Sequence, residues 1–287
     1  MRFSYVLPDP GSYPRWEDFE SDLACLKRAG YDAVELQIAD PAQLDEARLR
    51  RSLDAAGCPL CAFQTGSTYA TRGNCLSTAD DSIRARTAEL LGRFVDLAAR
   101  WQAVMVFGSL QGRLKDEPDA KAGERRIAEA LAEIGRQATQ KGAVIAVEPV
   151  NHSEVGFHNT IAAVSQLVRG LGRTPLSPPY QGGDKGGVRM MVDTYHMNIM
   201  VDTYHMNIEE RDMLAPLAGI ADILAHVHLC ETNRGVLGTG HWNTAAFLAE
   251  LRRLGYGGYC SIGVYNTALG AGECMTRCMA ALRRENA

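Results

Sequence analysis

The feature that most constrains this chain is an alternation. Eight short apolar or β-branched runs are each followed by a longer segment of helical periodicity, the pattern of βα units around a parallel sheet. The runs lie at 2–7, 33–36, 60–64, 103–108, 144–148, one of two candidates between Met190 and Asp202, 226–229 and 259–264. Helices are expected at 16–29, 41–56, 80–101, 120–141, 159–170, 209–221, 243–254 and in a last segment ending near Arg284. Turn signals fall between them: Gly30-Tyr31-Asp32, Gly57, Lys141-Gly142 and Gly255-Tyr256-Gly257-Gly258 each precede a strand-like run. Eight such units predict an α/β fold, a (β/α)8 barrel, whose active site lies at the C-terminal ends of the strands.

Composition agrees with one barrel spanning residues 1–287. The chain is 46% hydrophobic and 22% charged, enough to bury a sizeable core. Thirty Lys and Arg against 34 Asp and Glu, with no basic run, argue against a nucleic-acid partner and for a small molecule. No apolar run reaches the ~18 residues of a membrane span, and the first residues lack the pattern of a signal peptide, so a soluble cytoplasmic protein is expected. The eight cysteines follow no disulfide framework and read as reduced, partly buried thiols. Cys58-Pro59-Leu60-Cys61 sits between a helix end and a strand, whereas a redox CxxC follows a strand at a helix start.

Polar residues that close apolar runs are then the ones to weigh. The fifth run leads into Glu148-Pro149-Val150-Asn151, with Glu154 on the loop beyond. The sixth gives Asp202-Thr203-Tyr204-His205, and the seventh His226-Val227-His228-Leu229-Cys230. Two carboxylates and an imidazole from three successive strands can converge on one divalent ion, and this mixed O/N set suits Mn²⁺, Co²⁺ or Mg²⁺ better than a thiol-rich zinc site would. His226 and His228 share one strand face, so parity cannot choose between them; His228 lies nearer the C-terminal end and is preferred as the ligand. Arg113, after the fourth run, is placed either on a substrate phosphate or in solvent.

With these residues in view, the chain resembles the sugar isomerase/epimerase family with a xylose isomerase-like barrel, and within it the D-tagatose and D-psicose (allulose) 3-epimerases. The likeness rests on Glu148-Pro149-Val150-Asn151 with Glu154, on Asp202-Thr203-Tyr204-His205-Met206-Asn207-Ile208-Glu209-Glu210, and on His228 followed by Arg234. It implies that Glu148, Asp202 and His228 bind the metal, with Mn²⁺ the expected ion and Co²⁺ or Mg²⁺ the alternatives. It also implies that Glu154, His205 and Arg234 contact the sugar and that Glu148 serves as one acid/base. The implied chemistry is proton exchange at C3 of a ketose or ketose phosphate through a cis-enediolate, with carboxylates on both faces of C3. A homo-oligomer is a further implication. The rival readings are an aldose–ketose isomerase of the hydroxypyruvate isomerase kind and a catalytically degenerate sugar-binding barrel. An endonuclease on such a barrel would need more His and acidic ligands and a basic surface.

Two departures from the family pattern stand out. The family's fourth ligand and second catalytic carboxylate is a Glu at the end of the eighth strand; here Gly258-Tyr259-Cys260-Ser261-Ile262-Gly263 places Gly263 there. Weaker metal binding and loss of two-base epimerisation are the expected consequences. The second departure is a tandem duplication, in which Met191–Ile199 is repeated letter for letter as Met200–Ile208, after a Pro/Gly-rich stretch at 175–187. These additions are read as an inserted loop and repeat at about 175–199, with Asp202 and His205, rather than Asp193 and His196, in the barrel.

Overall fold

Each strand-like run becomes one stave of a closed barrel in the computed structural model, which describes residues 1–171 and 197–285. The staves are β1 (Arg2–Leu7), β2 (Ala33–Gln37), β3 (Leu60–Gln64), β4 (Val104–Phe107), β5 (Val144–Val147), β6 (Met197–Asp202), β7 (Leu224–Leu229) and β8 (Tyr259–Ile262). They are parallel and follow chain order, with β8 closing onto β1. The α-helices are α1 (Trp16–Ala29), α2 (Glu46–Ala56), α3 (Ser67–Arg72), α4 (Asp81–Trp101), α5 (Ala120–Lys141), α6 (Ile161–Gly170), α7 (Thr203–Glu209), α8 (Thr244–Arg253) and α9 (Ala271–Glu285). No helix among the described residues is long and apolar enough to cross a membrane. All eight cysteines are free thiols, and only Cys25 is not fully buried.

Local chemistry sets the helix boundaries. Asp45, Asp80, Asp119, Thr160 and Asn243 each accept a backbone N–H in the first turn of α2, α4, α5, α6 and α8. Large apolar side chains such as Phe19, Phe63, Phe94, Phe107 and Phe247 fill the layer between strands and helices and are wholly buried. Inside the barrel the residues are smaller, among them Ala33, Ala62, Val104, Val106, Val144, Ala146 and Met200.

Strand parity carries this inner layer up to the site. Val144 and Ala146 on β5 point inward, so Glu148 just past the strand end does too; Met200 on β6 brings Asp202 to the same face. On β7, His226, His228 and then Cys230 share the inner face. A side-chain alternation that is apolar at the bottom of the barrel therefore ends in ligand-type groups at the top.

Two expected helices differ. The segment expected as one helix at 209–221 is instead α7, which starts directly after β6, an extended Glu210, and a 3-10 turn at Ala215–Ile220. Asp202 opens α7 by accepting the N–H of Tyr204, while Asp212 accepts from Leu214 and Ala215. The helix expected at 41–56 is broken in the same way, a 3-10 turn at Pro41–Gln43 preceding the Asp45 cap of α2. Met197–Ile199, from the first repeat copy, form the first half of β6, so the surplus does not extend to residue 199. Asp193 and His196 lie outside the described residues.

Candidate active site

Glu148, Asp202 and His228 converge at the C-terminal mouth of the barrel. Asp202 and His228 are register partners across β6 and β7. His228 Nδ1 lies 3.6 Å from Asp202 Oδ2 and 4.0 Å from Glu148 Oε1. The Glu148 side chain reaches this point because Gly108 leaves it room: a Cβ at residue 108 would sit 2.6 Å from Glu148 Oε2. Burial holds the Glu148 carboxyl above the ordinary range, and the Asp202 charge adds to that, against the pull of His205 and His228. Burial also opposes ionisation of Asp202, but the nearby His205 and His228 outweigh it and hold its carboxyl well below the usual range. Of two neighbouring acids, then, the surroundings favour the charged form of Asp202 and the protonated form of Glu148.

Beneath the mouth lies a buried carboxylate on β2. Glu35 Oε1 is 2.8 Å from His228 Nε2, and Oε2 is 2.7 Å from His226 Nε2. Since an ionised carboxylate can only accept, each Nε2 carries the hydrogen. Nδ1 of His228 is thereby the nitrogen left facing Asp202 and Glu148. His226 lies deeper and also meets Ser261 Oγ at 3.1 Å; with Glu35 and His228 it forms a second, fully buried group within ligand distance.

The tautomer of His205 follows by the same argument. Its Nδ1 receives the backbone N–H of Asn151 at 3.3 Å and the Asn151 side-chain amide at 2.8 Å, so Nδ1 is an acceptor and Nε2 bears the proton. That N–H is aimed at the mouth, 3.6 Å from Glu148 Oε1 and 3.9 Å from Asp202 Oδ2. Glu148, Asp202 and His205, the last through Nε2, lie within ligand distance of one another. Arg234 Nη2 approaches the same nitrogen at 3.1 Å, which brings two donors together at a point where an acceptor oxygen would satisfy both.

Arg234 has a left-handed backbone, φ 55°, and its guanidinium lies 4.0 Å from the centre of the Tyr204 ring and 5.1 Å from that of Tyr265. It also contacts Glu154 Oε1 at 3.2 Å, and Asn151 Nδ2 donates to the same oxygen at 3.0 Å. Glu154, His205 and Arg234 are thus one network beside the three convergent groups. The cleft, about 300 Å³, is completed by Gln37, Gln64, Ser67, Ser109 and Tyr265. Arg113 does not enter it; its Nε donates to the Glu154 carbonyl at 2.8 Å and steadies that loop.

A matching family model covers residues 23–278 and describes a xylose isomerase-like TIM barrel. The chain belongs to the xylose isomerase-like TIM barrel family. Among curated members, the ketose 3-epimerase of Arthrobacter globiformis is 30% identical over 81% of this chain and 72% of its own length. The L-ribulose 3-epimerase of a Methylomonas species is 30% identical over 82% and 74%. Among solved members of the fold, an L-ribulose 3-epimerase superposes with a TM-score of 0.81 at 23% identity, over 99% of this chain and 94% of that one. A Methylomonas D-allulose 3-epimerase bound to D-allulose gives 0.77 at 20% identity, over 99% and 97%. This xylose isomerase-like barrel is a sugar isomerase or epimerase.

Sequence reasoning missed Glu35, Asn151 and Tyr265. Glu35 had a usable signal, a lone acid inside the apolar run Ala33-Val34-Glu35-Leu36. Asn151 was visible as part of the Glu148 motif but without a role. Tyr265 had none, because its position depends on Gly263: a Cβ at residue 263 would lie 2.7 Å from Tyr265 Cε2 and 2.8 Å from Cys230 Sγ.

Proposed function

We propose that the chain is a divalent-metal-dependent ketose 3-epimerase, in which Glu148, Asp202 and His228 hold the ion and Glu148 moves the C3 proton. The observation that carries this reading is the convergence of two carboxylates and His228 Nδ1 at the barrel mouth, beside the His205–Arg234 pair. The mixed O/N donor set fits Mn²⁺, with Co²⁺ or Mg²⁺ as alternatives. A bound ion supplies Lewis-acid polarisation of the carbonyl next to C3 and offsets the negative charge that develops on it.

The chain's own residues do the rest. Glu148 takes hydrogen from C3 and returns it. His205 Nε2–H and Arg234 orient and stabilise a sugar oxygen, and Asn151 and Glu154 fix those two groups. Gly263 supplies no carboxylate on the opposite face, so inversion is expected to be slow and accompanied by solvent exchange at C3. That single-base arrangement favours a second reading, aldose–ketose isomerisation, in which one base moves a proton between adjacent carbons on one face. The substrate in either reading is a ketose or its phosphate, and the working form is a cytoplasmic homo-oligomer.

Incubation with D-fructose, D-tagatose and their phosphates plus Mn²⁺ tests the proposal. A C3-inverted ketose supports it, an aldose supports the second reading, and sugar binding without turnover defeats both.

A further inference from the structure

Gly263 leaves the site one carboxylate short, and the space is not left to solvent. Cys230 Sγ lies 2.8 Å from where a Cβ at residue 263 would be and 3.4 Å from Asp202 Oδ2, and it is wholly buried. Strand parity puts Cys230 on the same inner face of β7 as His228. The side chain of His228 is 3% exposed, its Nε2 is committed to Glu35, and its Nδ1 stands 3.6 Å from Asp202 Oδ2 and 4.0 Å from Glu148 Oε1. Cys230 Sγ and His228 Nδ1 thus both approach the same Asp202 oxygen, which lies beside Glu148. Atoms that share an ion at 2.0–2.3 Å lie roughly 3–3.7 Å from one another. The Sγ–Oδ2 and Nδ1–Oδ2 separations, 3.4 and 3.6 Å, fall in that range, and Nδ1–Glu148 Oε1, at 4.0 Å, lies just beyond it.

We propose that Cys230 takes the coordination place of the absent carboxylate, giving a Glu148–Asp202–His228–Cys230 site that prefers Zn²⁺ or Co²⁺ to Mn²⁺ or Mg²⁺. The proposal rests on the metal assignment made for this mouth and changes its fourth member and its ion. On binding, the S–H bond breaks, the sulfur keeps the electron pair as a metal–sulfur bond forms, and the proton goes to solvent. A thiolate is a soft ligand; it strengthens binding of Zn²⁺ and Co²⁺ far more than that of the hard ions that favour oxygen.

Titration of the metal-free full chain with Co²⁺, followed by absorbance and calorimetry together, tests this without any variant. The expected result is heat of binding accompanied by a near-ultraviolet thiolate-to-cobalt charge-transfer band. The band should disappear in Cys230→Ser, whose Zn²⁺ affinity should fall about tenfold or more while its Mn²⁺ affinity changes by less than about threefold. Heat without the band overturns the sulfur ligand and leaves the three-residue metal site standing. No heat at all overturns the metal assignment itself, and the proposal with it. A band that survives in Cys230→Ser assigns the sulfur to another cysteine and also overturns it.

Discussion

Glu35 Oε1 meets His228 Nε2 at 2.8 Å, and this contact decides which nitrogen of His228 faces the barrel mouth. A carboxylate behind a histidine fixes the ring's tautomer and orientation and raises its basicity as a ligand. Glu35→Gln retains shape and one acceptor but loses the charge. Divalent-metal affinity measured by calorimetry is expected to fall about 10–100-fold, the usual cost of removing such a partner. Unchanged affinity would show that Glu35 serves the fold alone.

The same pair predicts how the metal-free protein responds to pH. Burial disfavours the Glu35 charge, but His228 and His226 outweigh it and hold the carboxyl well below its ordinary 4.5. Its stabilising contribution is therefore present above about pH 4.5 and is lost as pH falls through the folded-state value. Burial likewise works against protonated His228, yet Glu35 and Asp202 hold it well above 6.5. That contribution is complete below about pH 6.5 and is lost as pH rises through the raised value. Urea midpoints of the metal-free native chain should be highest between these limits and decline on both sides. Glu35→Gln should flatten both declines, and parallel profiles for the two proteins would count against the pairing.

Restoring the family's carboxylate is not a simple reversal. In Gly263→Glu the new Cβ would meet the Tyr265 ring at 2.7 Å and Cys230 Sγ at 2.8 Å. Overpacking of this kind costs about 1–3 kcal/mol, so the single variant should melt lower and gain little turnover. Combining it with Tyr265→Ala clears the ring. Epimerase turnover should then rise about 10²-fold or more, the lower end of what a positioned acid/base supplies. If the single variant were as active and as stable as the double, Tyr265 would not be what fills the space.

Most of the barrel was legible because its signal is periodic. Apolar or β-branched runs, each followed by a helical segment, marked the staves, the sixth as one of two candidates, and ligand-type residues at the ends of three of them marked the mouth. What was not legible depends on which pieces face one another. Glu35 acts through His228, from a strand 191 and 193 positions away from its two partners. Its role needs the barrel closed before it exists. The repeat gives the sharpest case: Met-Asn-Ile is strand at 197–199 and helix at 206–208. The first copy lies between β5 and β7 and is wholly buried, whereas Asn207 and Ile208 are exposed on α7 beyond the Asp202 cap. Local propensity is the same in both, so neighbours and the cap decide.

That duplication leaves two identical Asp-Thr-Tyr-His strings competing for one place in the barrel. Asp202 stands at the end of β6 opposite His228, and its backbone partner Tyr204 N and the Thr203 hydroxyl, bonded to the Cys230 carbonyl at 2.7 Å, lock the turn that follows. Were Asp193 to exchange with it, Val188-Arg189-Met190 would have to take the buried places of Met197-Asn198-Ile199 between β5 and β7, which puts an arginine where Asn198 now lies. Asp202→Ala is therefore expected to lower divalent-metal affinity by more than about 100-fold, since a direct ligand should cost at least as much as its supporting partner. Asp193→Ala should leave it unchanged. Comparable losses in both variants would mean that the two copies exchange places in solution.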